Sequence, residues 1–234
     1  MSVVVVVHTY NESRNIAELV QRVQASVPDA RLLVVDDGSP DGTADLAVEA
    51  GRRHGAPVEV LRRPAKQGLG SAYMAGFDGA LQTGATRVVQ MDADLSHDPA
   101  DLPRLLAPEA DLVLGSRYVP GGGTRHWPLH RRVLSRGGSW YARLWLGLPH
   151  HDLTGGFKAW RAPLLRRLLA LGPTSEGYVF QVEMTWRAVG LGASVVEVPI
   201  VFTERVGGVS KMSRQIALEA VRRVPELRLA RPKP

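Results

Sequence analysis

The chain has 234 residues, 44% of them apolar, and no cysteine. That is the length of one domain with enough apolar side chain for a core, and it excludes a disulfide scaffold, a thiolate zinc centre and a cysteine nucleophile. Lys and Arg number 29 against 23 Asp and Glu, a formal charge of +6, and neither a run of the ~18–20 apolar residues a membrane span needs nor a secretory signal pattern is present.

The first half alternates. Val3–Val7 is an unbroken β-branched run and reads as a buried strand. Residues 12–26 read as a helix with Asn11 as its cap, 31–35 as a strand, and 41–54 as a helix capped by Asp41. A strand over 57–61, a helix over 69–82, a strand over 87–91, a helix over 99–106 and a strand over 111–115 follow. Such alternation with short connections predicts a mostly parallel sheet covered by helices on both faces. Ligands of such sheets sit beyond the carboxyl ends of the strands. Polar residues gather there: Thr9 to Glu12, Asp36 and Asp37, Asp92 and Asp94, Ser116 and Arg117.

Charge divides the chain differently. Residues 115–167 hold ten Lys or Arg and one acid, Asp152, a local charge of +9 that leaves −3 for the remainder. Trp127, Trp140, Trp145 and Trp160 lie in the same stretch. A basic segment with aromatics suits nucleic acid or a lipid surface. Acids stand where a long polyanion would lie and no nucleic-acid motif is present, so the reading excludes nucleic acid.

Asp92-Ala93-Asp94 closes an apolar strand. Two carboxylates one residue apart can reach one hard cation, Mg2+ or Mn2+, which takes phosphate oxygens and water as further ligands. Asp36-Asp37-Gly38-Ser39 reads either as a turn or as acids that bond a ribose hydroxyl or base edge. Gly68-Leu69-Gly70 beside Lys66 completes neither a phosphate loop nor a dinucleotide fingerprint.

Taken in order, Tyr10-Asn11-Glu12, Asp36 to Thr43, Gly68 to Tyr73, Asp92 to His97, Gly115 to Tyr118, Asp152 to Lys158, Glu176-Gly177-Tyr178, Glu204-Arg205 and Gly208 to Met212 carry a resemblance. The chain resembles the polyprenyl- (dolichyl-) phosphate mannose synthases of the family 2, GT-A-fold inverting glycosyltransferases, from about Val3 to Met212. The resemblance implies one catalytic domain over 1–234: a nucleotide-sugar and metal half to about 118, then an acceptor half whose amphipathic interface segment is 125–165. It implies GDP-mannose as donor, a polyprenyl or dolichyl phosphate as acceptor, and a divalent metal. Nucleotide-sugar residues would be His8, Tyr10, Glu12, Asp36, Asp37, Lys66, Gly70, Asp92, Ala93, Asp94 and Arg117. The metal would meet Asp92, Asp94 and Ser96. Arg117, Arg132, Ser135, Lys158, Arg205 and Lys211 would meet the acceptor phosphate, and Asp94, Arg117, Asp152 and Arg205 would serve the reaction. Two positions depart: His8 replaces a proline of many relatives, and Ser96 replaces a glutamine ligand, so water or His97 completes the shell. The enzyme would work peripherally on the cytoplasmic face of a membrane, alone or beside an anchoring partner protein. Transfer from UDP-glucose, or a non-catalytic nucleotide-sugar-binding subunit, are the competing readings.

The acceptor phosphate is already an anion near neutral pH, so no general base is obligatory. Metal, Arg and Lys stabilise the departing diphosphate. Asp152, alone among the basic residues, reads as the group that orients them rather than as a base. On a helix over 131–148, Arg132, Arg136 and Arg143 fall within about 40° of one another, opposite Leu134, Tyr141, Trp145 and Leu148. This predicts an interfacial helix with an arginine face; residues 213–224 form a second amphipathic candidate.

Overall fold

A computed structural model describes residues 1–204 and 214–230, with side chains described from Val221 to Leu229 in the last helix. In chain order the elements are β1 (Val3–Thr9), α1 (Ile16–Ser26), β2 (Arg31–Asp36), α2 (Thr43–His54), β3 (Val58–Arg62), α3 (Leu69–Gln82) and β4 (Arg87–Asp92). A 3-10 turn (Pro99–Asp101) leads into α4 (Leu102–Leu106), β5 (Leu112–Ser116), β6 (Gly123–Arg125), α5 (Leu129–Leu146), β7 (Lys158–Arg161) and α6 (Ala162–Ala170). Then come α7 (Gly177–Gly190), β8 (Val195–Pro199), β9 (Val201–Thr203) and α8 (Arg214–Ala230).

Seven strands form one sheet in the order β3-β2-β1-β4-β7-β5-β8, parallel except for β7. The valine run of β1 shows why both faces are covered. Val3, Val5 and Val7 pack with Ile16, Leu19 and Ala47 of α1 and α2. Val4 and Val6 pack with Tyr73, Phe77 and Leu165 of α3 and α6. Burying each such valine contributes about 1.5–3 kcal/mol relative to exposure. Gly76 lets α3 approach: an added Cβ would lie 2.5 Å from Val6 Cγ1. A third apolar cluster joins α5, α7 and α8 through Ala142, Leu146, Val182, Val224 and Leu227.

Two expected boundaries move. The first helix begins at Ile16, not residue 12. Asn11 is not its cap; it has a φ of 60°, and its N–H donates to Ser39 Oγ at 3.0 Å. Residues 10–15 instead form a loop tied to the start of α2, where Ser13 N–H reaches Asp41 Oδ2 at 3.0 Å. Asp41 receives Thr43 N–H at 3.1 Å, but it lies one residue outside the cap: α2 starts at Thr43 with Gly42 as N-cap and no side-chain cap bond. The sequence reading had no antiparallel β7. It enters between β4 and β5, and its register sets Lys158 opposite Gln90 and Leu114.

Candidate active site

The carboxyl ends of β1, β2 and β4 lie side by side, with Thr9 opposite Asp36 and His8 opposite Asp92. Asp36 is buried and accepts from Thr9 Oγ1 at 2.9 Å, Ser39 N–H at 2.9 Å and Ser39 Oγ at 2.6 Å. Asp37 is buried beside it. Its Oδ2 lies 2.9 Å from His8 Nε2, and its Oδ1 accepts from Arg63 Nη1 at 2.7 Å. Arg63 also donates to Gln67 Oε1 and Ser71 Oγ, tying the loop before α3 to the strand ends. Lys66 Nζ stands 4.9 Å from the Tyr10 ring centre. Glu12 accepts from Asn15 Nδ2 and gives its own N–H to Thr43 Oγ1. Gly70 is required by close packing: its N–H donates to Glu176 Oε2 at 2.7 Å, and a Cβ would meet Ser175 O at 2.5 Å. The predicted nucleoside residues thus share one corner, with both aspartates braced from within. Arg63 was missed, although it directly follows the third strand.

Asp92 closes β4, and Asp94 follows it across Ala93. Leu95 has a φ of 59°, a conformation rare for a branched residue, which turns the chain so that Ser96 caps Asp94. Ser96 gives Asp94 Oδ1 its N–H at 3.1 Å and its hydroxyl proton at 2.5 Å. Its hydroxyl therefore orients a carboxylate. His97 is buried between Phe157 and Phe202, and its Nδ1 accepts Asp92 N–H at 3.2 Å. Burial pushes the imidazole below its usual pKa, against the pull of the Asp92 and Asp94 charges. Among the described residues no cluster of three or more His, Cys, Asp or Glu forms. Two carboxylates of hard oxygens fit a divalent cation that keeps water or diphosphate oxygens as its other ligands.

Arg117 follows β5. Its Nε and Nη2 donate to Asp152 Oδ2 and Oδ1, both at 2.7 Å, a bidentate buried pair, and Nη2 also reaches Thr154 Oγ1 at 3.0 Å. Burial works against the guanidinium charge, but Asp152 outweighs it and raises its pKa further. Burial likewise works against the Asp152 carboxylate, and Arg117 outweighs that and holds it below the usual range. A base with both oxygens so engaged has no place for a proton. The Asp152 carboxylate is thus turned onto Arg117, the contact its isolation among cations suggested. It is in turn held by Glu197 on β8, which accepts Asp152 N–H and His151 N–H at 2.9 and 2.8 Å. Sequence reading missed Glu197; its only signal is a lone acid in an apolar strand.

Arg117 faces a cavity of about 180 Å3. Asp92, Arg117 and Arg131 line it, and Val179, Val182 and Val224 make up part of an apolar remainder. Arg131 lies 4.1 Å from the Trp127 ring centre and pairs with Glu204. Ser135 lines the same cavity and accepts from Tyr118 OH at 2.6 Å. Here two expectations are corrected. Arg132 is exposed, because the buried side of α5 carries Arg131, Ser135, Ser139, Ala142 and Leu146. Lys158 is fully buried under α7 and donates to Gln181 O at 2.7 Å and Thr185 Oγ1 at 3.0 Å. Its amine is engaged by α7 rather than open to the cavity. Burial lowers its pKa to about 7, with Asp152 only partly offsetting. Arg205 and Lys211 lie outside the described residues.

The sequence profile of glycosyl transferase family 2 matches residues 4–169. The chain belongs to that family. It is 49% identical over 225 residues to the polyprenol monophosphomannose synthase of Mycolicibacterium smegmatis, covering 95% of this chain and 85% of that protein. It is 47% identical over 232 residues to the undecaprenyl-phosphate mannosyltransferase of Micrococcus luteus, covering 98% and 95%. Among solved structures, the glucosyl-3-phosphoglycerate synthase of Mycobacterium tuberculosis in complex with Mn2+, uridine diphosphate and glucosyl-3-phosphoglycerate aligns with a TM-score of 0.66 at 22% identity, over 99% of this chain and 80% of that one. That likeness carries the GT-A fold: a mixed sheet flanked by helices, as the sequence predicted.

Proposed function

We propose that this glycosyltransferase moves mannose from GDP-mannose to the phosphate of a polyprenol, inverting the anomeric carbon and releasing GDP. The observation that carries this reading is the cavity: apolar along its walls, with Asp92, Arg117 and Arg131 together at its lining. A prenyl chain fits such walls, and its phosphate fits two guanidinium groups. The names of the two relatives, of which this chain covers 85% and 95%, support the same substrate class.

Arg117 and Arg131 hold the acceptor phosphate against the donor sugar. A phosphate oxygen, already anionic, attacks the anomeric carbon from the face opposite the diphosphate. The new carbon–oxygen bond forms as the bond to the β-phosphate oxygen breaks, and the electron pair leaves with GDP. No proton has to be abstracted, which suits a site in which the buried Asp152 carboxylate is committed to Arg117. Tyr10, Lys66 and the 36–37 corner hold the nucleoside. A divalent cation on Asp92 and Asp94 would supply charge neutralisation for the departing diphosphate. On this reading the reaction runs at a membrane surface, with the donor arriving from the cytoplasmic side.

The test is transfer of radiolabel into an organic phase. Purified chain, a short polyprenyl phosphate and Mg2+ or Mn2+ are incubated separately with GDP-mannose and UDP-glucose. Label from GDP-mannose alone, lost with EDTA, is expected. Label from UDP-glucose alone would overturn the sugar, and donor binding without any product would make the chain a binding subunit.

A further inference from the structure

Tyr73 is fully buried on α3, and its hydroxyl comes to rest beside Asp92. The ring stacks on Phe77 at 5.7 Å and on Phe180 at 6.3 Å between centres, and the His8 ring stands edge-on to it at 6.3 Å. The start of α3 is tied down as well, since Glu176 accepts the N–H groups of Gly70 and Ser71 at 2.7 and 3.2 Å. The hydroxyl thus has little freedom. Its one proton lies between Met91 O at 3.0 Å and Asp92 Oδ1 at 3.3 Å. A core tyrosine needs a single acceptor, and Met91 O supplies it. The approach to Asp92 is the part that packing does not require. Asp92 Oδ2 lies 3.7 Å from His97 Nδ1, beyond hydrogen-bond distance. Asp94 is arranged alike, because Ser96 gives both its N–H and its hydroxyl proton to Oδ1. Each of the two carboxylates therefore has one oxygen engaged by a hydroxyl donor.

We infer that Tyr73 is a positioning residue that makes Asp92 ligate a divalent cation through one oxygen, and that it thereby selects a small octahedral ion over Ca2+. The inference rests on the reading of Asp92 and Asp94 as metal carboxylates. A small ion such as Mg2+ demands a near-ideal octahedron of short bonds, which a carboxylate spanning it with both oxygens distorts. Ca2+ is larger, takes six to eight oxygens and accepts bidentate carboxylates. With Oδ1 held by Tyr73, the Asp92 carboxylate cannot turn both oxygens to one ion without giving up that hydrogen bond. Ser96 places the same restraint on Asp94. The pair then offers one oxygen from each residue and leaves the other positions to water and diphosphate. Outer-shell partners of this kind are typically worth 10–100-fold in metal affinity. Without the hydroxyl, the Asp92 carboxylate turns more freely. A small ion loses an oriented ligand, whereas Ca2+ gains a second oxygen that offsets the loss. The ring of the same residue borders His8, which bonds Asp37, so Tyr73 stands between the nucleoside corner and the metal carboxylates.

The test is Tyr73→Phe in the full chain, which keeps the ring and removes only the hydroxyl. Mn2+ uptake is read from the electron paramagnetic resonance of the free ion at a fixed concentration of GDP, with GDP alone as the blank, and Ca2+ is read by its competition with Mn2+. The wild type is expected to bind Mn2+ at least about tenfold more tightly than Ca2+. In the variant, Mn2+ affinity is expected to fall roughly tenfold and Ca2+ affinity by less than about twofold, so the preference narrows. Its thermal midpoint is expected to stay within about 4 °C of wild type, which shows that it is folded. A lowered midpoint with both affinities unchanged makes the hydroxyl a packing feature and overturns the inference. Equal loss of Mn2+ and Ca2+ overturns it too, since Tyr73 would then support the site without choosing the ion. Uptake that survives Asp94→Asn puts the ion elsewhere and removes the metal reading along with the inference. So does a wild type with no protein-dependent uptake in GDP or in UDP. Uptake with UDP alone, with the preference narrowed in the variant, upholds the inference and overturns the GDP donor instead.

Discussion

Arg117 and Arg131 reach the cavity from different elements, and they are braced differently. Arg117 shares a bidentate pair with a buried aspartate, and Glu197 fixes the backbone that presents that aspartate. Arg131 rests on Trp127 and the edge of Glu204. Removing Glu197 leaves every group that touches substrate in place but loosens the turn that presents Asp152. Glu197→Ala is therefore expected to lower kcat about tenfold or more, to leave donor affinity by calorimetry unchanged, and to be largely rescued by Glu197→Gln, which keeps an acceptor oxygen for the Asp152 N–H. Equal loss in both variants would mean the charge, not the hydrogen bonds, matters. The neighbouring arginines on α5 give a sharper contrast. Arg131→Ala is expected to cost roughly 100-fold in kcat/KM for the lipid acceptor and Arg132→Ala less than about twofold in a detergent assay. The reverse order would show that the helix is rotated from the described position. The sequence reading named Arg132, whereas Arg131 lines the cavity, because the phase of a helix fixes which side chains align and not which side packs.

At the scale of elements, the strand-helix alternation of the first half was legible because its apolar runs are unbroken and its turns are marked by Asp and Gly. The second half was not. β7 is four residues long and antiparallel. It carries a lysine in its core-facing position, so no pattern announces a strand. The family resemblance is what assigned that lysine to a phosphate. The cost of its burial is measurable. Lys158 has a pKa near 7 in the folded chain and an ordinary value of about 10.4 when unfolded. Between those values the unfolded chain binds more protons, so this residue makes stability rise with pH and penalises the fold fully below about pH 7. Lys158→Met removes that linkage. Its stability relative to wild type is expected to be most favourable near pH 6.5 and to decline toward pH 9.5 in urea unfolding; a difference flat with pH would mean the amine stays charged inside. The 131–148 helix was legible as an element and as amphipathic. Its orientation was not, because the side it packs on the protein is built largely of small residues, Ser135, Ser139 and Ala142.

The whole molecule is a sheet whose parallel strands gather acids at one edge, with a basic, aromatic second half folded over that edge. The ordered motifs from Tyr10 to Lys158 made the family legible, since each falls at a strand end or in the loop beside it. What no motif announced is how the halves interlock: β7 and β8 complete the sheet begun by β1, and α5, α7 and α8 enclose a cavity that exists only after folding. On the proposed function, this cavity holds the first prenyl units of the acceptor while Arg117 and Arg131 hold its phosphate. A graded series of acceptor phosphates tests it most directly, in detergent so that membrane seating plays no part. With GDP-mannose as donor, kcat/KM is measured for glycerol phosphate and for prenyl phosphates of one, two, three and more isoprene units. The account predicts negligible transfer to glycerol phosphate, a rise of roughly tenfold or more per unit over the first two or three units as apolar surface enters the cavity, and a plateau once the chain leaves it. Equal kcat/KM for glycerol phosphate and the long prenyl phosphates would contradict it.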